Sequence, residues 1–162
     1  MPPSIPIRPS DPADLPALLP MIEALARHHG DTSAATLDSL RRDQTGPEPW
    51  LSVLVAEGDA GLLGYAATLP HAQLHFGTRG LDLHHLYIQS ESRGQGLGAA
   101  LVAAVIEQAK ARGCHYLAVG TDPANSAAQR FYRKLGFTPR PDAPHRFLRR
   151  LDAGAAGLTS TP

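Results

Sequence analysis

One stretch constrains this chain more than any other: Leu86-Tyr87-Ile88-Gln89-Ser90-Glu91-Ser92-Arg93-Gly94-Gln95-Gly96-Leu97-Gly98-Ala99-Ala100-Leu101. An apolar strand runs into a glycine-rich turn, and the turn opens a helix. Glycines let the backbone come close to a ligand, and the first N–H groups of a helix have no partner of their own. Arg93 adds a fixed positive charge at the rim. This chemistry suits a phosphate or pyrophosphate. A purely structural strand-to-helix turn is the competing reading, since such motifs also occur by chance.

Composition narrows the classes. The chain has 162 residues, 43% hydrophobic and 19% charged, which fits one globular domain with its own core. Its 15 Lys+Arg balance 15 Asp+Glu, with no dense basic run, so neither nucleic acid nor an acidic membrane is expected as a partner. A single cysteine, Cys114, excludes an internal disulfide framework and a multi-cysteine zinc site. The eight histidines show no recognisable ligand spacing, and no metal is expected. No apolar run is long enough to span a bilayer, and Met1-Pro2-Pro3-Ser4 does not read as a signal peptide. A cytoplasmic protein is the expectation.

Along the chain, residues 5–8 predict a short first strand. Asp11-Pro12 reads as a helix cap followed by a proline at the first position. Leu15, Leu18, Leu19, Ile22 and Leu25 then recur at helical spacing, while Pro16 and Pro20 predict a kink or a late start. Ser33 is the expected cap of a second helix carrying Leu37 and Leu40. Residues 51–56 and 62–69 predict a hairpin, 70–80 a loop, and 81–88 the next strand. Residues 98–112 predict a helix with Leu101, Val102, Val105, Ile106 and Ala109 on one side, stopped by Gly113. A strand over 116–120 and a helix over 126–135 follow. Residues 137–140 and 145–151 predict a closing hairpin, and the tail from Asp152 is expected to fray. With no repeat and no long linker, residues 1–151 read as one domain of the α/β (α+β) class with a mixed sheet.

Three phosphate-binding patterns compete for the turn. A P-loop needs a Gly-Lys-Ser/Thr ending, which Leu97-Gly98-Ala99 lacks. A dinucleotide fingerprint fits Gly94-x-Gly96-x-x-Ala99, with Asp122 placed as a ribose-binding acid. Against it, residues 89–93 separate strand from glycines, and too little chain follows Asp122 to complete a doubly wound sheet. The third pattern fits best. Arg93-x-x-Gly96-x-Gly98 resembles the acetyl-CoA pyrophosphate loop of the GNAT N-acetyltransferases. Asn125-Ser126-Ala127-Ala128-Gln129-Arg130-Phe131-Tyr132-Arg133-Lys134-Leu135-Gly136-Phe137 resembles that family's second signature at the expected distance. Within the family, the run from Phe76 to Ile88 and the pair His28-His29 look most like the diamine (spermidine/spermine) acetyltransferase branch. That branch carries Glu-Asp where this chain has His84-His85, a change that removes negative charge where a polyamine would need it.

The resemblance implies a mostly antiparallel twisted sheet of six to seven strands with helices on both faces. It also implies direct transfer from acetyl-CoA, as cosubstrate, to a primary amine of a small acceptor, and a homodimer. Backbone groups of Leu86, Tyr87 and Ile88 would pair with the pantetheine arm. Those of Arg93, Gly94, Gln95, Gly96, Leu97, Gly98 and Ala99 would hold the pyrophosphate. Asn125, Ala128 and Phe131 would lie along the cofactor arm, and Asn125 reads equally as a helix cap. Tyr132 is the expected general acid for the thiolate, although alone it reads as a core aromatic. His84, placed by alternation on one face with Asp82, is the candidate base, with a plain sheet hydrogen bond as its other reading. Cys114 and Trp50 are expected to pack, and Arg146, Arg149 and Arg150 to form a solvated strand face. Two other functions stay open: a protein amino-terminal acetyltransferase and a non-catalytic CoA-binding module.

Overall fold

Alternation along residues 53–56 sets the layers. Val53 and Val55 point to one side of a sheet, Leu54 and Ala56 to the other, and all four are buried. The computed structural model describes residues 4–140, 146–147 and 149–151. Five strands, β1 (Ile7–Pro9), β2 (Ser52–Gly58), β3 (Gly61–Gln73), β4 (Thr78–Ile88) and β5 (Tyr116–Val119), form one sheet in sequence order. The first three ladders are antiparallel; β4 and β5 pair in parallel.

Helices α1 (Leu15–His28) and α2 (Leu37–Thr45) cover one face, where Leu15, Leu18, Met21 and Leu40 meet Val53, Val55, Tyr65 and Ala67. Helices α3 (Leu97–Ala111) and α4 (Ser126–Lys134) cover the other. There Leu101, Val102 and Val105 are buried against Leu54, Ala56, Ala66 and Leu83, with Phe131 and Tyr132 packed alongside. Arg8 ties the first strand to the start of α1. Its guanidinium donates to both Asp14 carboxylate oxygens at 2.7 and 2.9 Å, and to Glu57 at 2.7 Å. The Arg8 hydrogen bond holds the Asp14 carboxyl below the usual carboxylate range.

Several expectations are corrected. The sheet has five strands among the described residues, not six or seven. Residues 137–140 form no strand: Phe137 packs into the core, but Pro139 interrupts the run and removes a ladder donor. Residues 141–145 and 148 and the tail from 152 lie outside the described residues. Arg146, Arg149 and Arg150 are exposed but belong to no strand. Residues 70–80 are not a loop, because β3 continues to Gln73 and β4 begins at Thr78. Pro70 is tolerated because β2 stops flanking β3 after Thr68, leaving an edge where its missing N–H costs no ladder bond. Thr36, not Ser33, caps α2, in a reciprocal pair with Ser39. The late start expected of helix α1 is borne out: it follows a 3₁₀ turn at Pro12–Asp14 and runs through Pro20, whose side faces solvent. Trp50 does not pack; it is 71% exposed.

Candidate active site

The site begins where β4 and β5 part company. Their parallel pairing ends at Leu83 and Val119, yet β4 runs on to Ile88. On its other edge β4 stays paired with β3, Tyr87 opposite Tyr65 and Ile88 opposite Gly64. The Gln89 N–H donates to the Leu63 carbonyl at 2.9 Å, which sets the parity of the ladder. Hydrogen-bonded and non-hydrogen-bonded pairs alternate in antiparallel strands. Tyr87 therefore spends its backbone groups on β3, whereas those of Leu86 and Ile88 point to the split edge. The Ile88 carbonyl there accepts from Arg93 Nε at 3.0 Å.

Past β4 the chain turns through Gly94 (φ 76°) and Gly96 (φ 80°), both in the left-handed region that favours glycine. Gly96 caps α3 without offering a side chain, so the first N–H groups of that helix stay open to an incoming anion. A Cβ added at Gly94 or Gly96 would meet nothing within 4 Å, so both glycines border free space. At Gly98 the reason differs: a Cβ there would lie 3.4 Å from the Phe131 ring, where α4 crosses the start of α3. The Arg93 guanidinium carbon lies 5.9 Å from the centre of the Tyr87 ring.

Between these elements lies a cleft of about 550 Å³. Leu86, Tyr87, Ile88, Arg93, Gly94, Gly96, Leu97, Gly98, Ala99, Ala128, Phe131 and Tyr132 line it, which brings together most of the residues singled out in the sequence. Ser92, Ala127, Leu25 and His28 line it as well; the first two sit beside the motifs, and α1 supplies the others through tertiary packing. Gln95 is exposed and not in the wall. Asn125 takes the capping role, its side-chain oxygen accepting from the Ala128 N–H at 3.0 Å. Tyr132 stands edge-to-face with Phe131 and Phe137, at 5.1 and 5.4 Å between ring centres. Burial pushes its phenol up to about 12, so it stays protonated at neutral pH. No described residue hydrogen-bonds to its hydroxyl.

The histidines are arranged otherwise than alternation predicts. Ala67 faces His85 and Thr68 faces Leu83, leaving His84 as the extra residue of a β-bulge. The bulge shifts the alternation, and the His84 and His85 rings stack at 4.4 Å with 11° between their planes. His84 is exposed and outside the cleft wall. His85 is half-buried, and its Nδ1 lies 3.0 Å from the Tyr65 hydroxyl. That pair escaped the sequence reading because nothing local to either residue marks it. Cys114 is a free, partly exposed thiol. No helix among the described residues is long and apolar enough to cross a membrane.

Known proteins resemble this chain in sequence and in fold. The family model described as "Acetyltransferase (GNAT) family" matches residues 18–137. The L-methionine sulfoximine/L-methionine sulfone acetyltransferase of Pseudomonas aeruginosa is 32% identical, over 96% of this chain and 95% of its own length. The mycothiol acetyltransferase of Thermobispora bispora is 34% identical over 68% of this chain and 38% of its own. Among solved structures, an aminoglycoside acetyltransferase from an uncultured soil metagenomic sample superposes with a TM-score of 0.74 at 18% identity, covering 90% of this chain and 96% of that one. At that identity the likeness bears on the fold alone. None of these three is a diamine acetyltransferase, so the branch is left open while the family is not. On the family match and the full-length relative together, this chain belongs to the GNAT acetyltransferases.

Proposed function

We propose that the chain transfers the acetyl group of acetyl-CoA to the primary amine of a small acceptor of the amino-acid-derivative kind. The observation that carries this reading is the single cleft shared by the split edge of β4, the open start of α3 and Tyr132. The split edge suits the pantetheine arm, through Leu86 and Ile88 and not Tyr87. The glycine turn with Arg93 suits the pyrophosphate, and the surface of Phe131 and Ala128 suits the arm between them. The amine nitrogen attacks the thioester carbonyl, whose oxygen takes a backbone N–H from the β4 edge as charge develops there. The carbon–sulfur bond breaks, the departing sulfur takes a proton from Tyr132, and the amine gives its surplus proton to a base. His84 is the residue we assign as base, reached from outside the cleft wall on the bulge. The acceptor class rests on the full-length relative, named for acting on methionine sulfoximine and methionine sulfone.

The same reading includes a homodimer in the cytoplasm. The exposed apolar side chains Leu74 (94%) and Phe76 (66%) at the β3–β4 tip support the dimer, and light scattering on the purified chain tests it. The test of the function is thermal unfolding with acetyl-CoA, CoA and NAD in parallel, followed by an amine screen. A ligand at a hundred times its Kd adds about 2.7 kcal/mol to stability. A raised midpoint with acetyl-CoA and none with NAD is expected. A rise with NAD alone would overturn the reading and restore the dinucleotide pattern at Gly94-x-Gly96-x-x-Ala99.

A further inference from the structure

Tyr65 is the largest fully buried side chain, 1% exposed. Its hydroxyl has one hydrogen-bond partner among the described residues, Nδ1 of His85 at 3.0 Å. A buried hydroxyl proton needs an acceptor, so Tyr65 donates and Nδ1 accepts. An imidazole that accepts at Nδ1 carries its one proton on Nε2 and is neutral. Nε2 itself bonds to no described residue, yet it is not sealed in. Among the described residues, the one buried side-chain polar atom without a partner is Oε1 of Gln108. The Nε2–H is thus a donor with some access to solvent, just outside the wall of the cleft.

Its surroundings keep it that way. The His85 ring meets Tyr65 edge-on at 6.1 Å and stacks on His84. Tyr87 lies 6.2 Å from Tyr65 on the same side of the sheet. The titratable groups facing His85 are Tyr65 and Tyr87, His84 on its own strand, and His29 at the end of α1. Burial, then His84 and His29, push its imidazole down to about 4. Protonation would also cost the Tyr65 hydrogen bond. Next along β4, Leu86 and Tyr87 line the cleft, as does His28, the neighbour of His29.

We propose that Tyr65 is a positioning residue that holds His85 as the neutral Nε2–H imidazole, and that this N–H is a specificity determinant taking an oxygen of the acceptor beside its amine. The second half rests on the acetyltransferase reading; the first does not. A fixed N–H donor rewards a carboxylate, sulfonyl, carbonyl or hydroxyl oxygen and gives nothing to a bare ammonium group.

Two measurements test the proposal. Long-range 1H–15N correlation on labelled protein reads the protonation of each imidazole nitrogen. We expect wild-type His85 to stay neutral with its proton on Nε2 from about pH 8 down to about pH 5.5, below the ordinary histidine pKa. In Tyr65→Phe the Nδ1–H form joins it, and the ring titrates higher. Wild-type His85 found as Nδ1–H, or charged at pH 6, would overturn the lock, and this needs no variant to fold. The second measurement compares kcat/KM for matched amines with and without a neighbouring oxygen. Wild type should favour the oxygen-bearing amine by about tenfold, and Tyr65→Phe should lose most of that preference. If Tyr65→Phe does not fold, the double variant Tyr65→Phe/His85→Phe replaces it, since removing both partners leaves no buried group unpaired and the ring donor is gone. An unchanged preference in the variant overturns the docking role. Acetylation of no amine at all refutes the acetyltransferase reading and the docking role with it, while the NMR arm still decides the lock.

Discussion

Replacing Tyr132 by phenylalanine removes one oxygen and its proton from the cleft and little else. The ring keeps its edge-to-face contacts with Phe131 and Phe137. The hydroxyl bonds to no described residue, so folding stability should stay within about 0.5 kcal/mol of wild type. The catalytic cost follows from the phenol's proton affinity. Burial pushes Tyr132 up to about 12, whereas a free thiol sits near ~8.5. Full proton transfer between groups so separated is uphill by about 5 kcal/mol at ~1.4 kcal/mol per pKa unit. On the proposed function, the same desolvated cleft would raise the thiol of bound CoA and narrow that gap. Tyr132 would then act mainly by hydrogen-bonding to the sulfur as its charge develops. Such a role belongs at the lower end of general-acid effects, about a hundredfold in kcat or ~2.7 kcal/mol. The assay is release of CoA thiol with the best amine from the screen, beside the Kd of acetyl-CoA from calorimetry. A kcat within about threefold of wild type would remove Tyr132 from the chemistry. A weakened acetyl-CoA Kd with unchanged kcat would make it a binding residue.

Three further outcomes follow. Gly96→Asp should abolish the acetyl-CoA shift in thermal unfolding, since it adds left-handed strain of about 1–2 kcal/mol and a negative charge where the proposed function puts the pyrophosphate; a retained shift would place the pyrophosphate elsewhere. Asp14→Asn should lower stability by about 2 kcal/mol in urea unfolding at pH 7, because the buried carboxylate loses its charge-assisted bonds with Arg8. The folded-state pKa of Asp14 is depressed, so its contribution is complete above the ordinary value of ~3.9 and is lost as pH falls below it. Wild type and Asp14→Asn should therefore converge in strong acid, and parallel stability curves down to about pH 2 would refute the ion pair. For His84→Ala, the acid limb of the kcat/KM profile should disappear, and an unchanged limb would eliminate His84 as base.

Much of the cofactor side of this site is legible in the residues because its causes are local. Left-handed turns require glycine at positions 94 and 96, whatever surrounds them, and an uncapped helix start follows directly. The second signature likewise brings Phe131 and Tyr132 to one helix at fixed spacing. The acceptor side was read less well. Alternation placed His85 on the face opposite His84 and Asp82, because period two assumes an unbroken ladder. One unopposed residue in β4 turns both histidines to the same side. A bulge belongs to the pairing of two strands, so neither strand announces it alone. The strand expected over residues 137–140 failed for a related reason, since a ladder needs a partner edge and a donor that Pro139 lacks.

The amino-acid order alone therefore decided the glycine turn with its uncapped helix start, the two-faced layering and the family, each written in residues close together in the chain. Tertiary structure decided that Leu86 and Ile88, and not Tyr87, face the split beside β5, and that Tyr65 reaches His85 across the ladder. Those features depend on register, and register is fixed only when distant segments bury their apolar faces together.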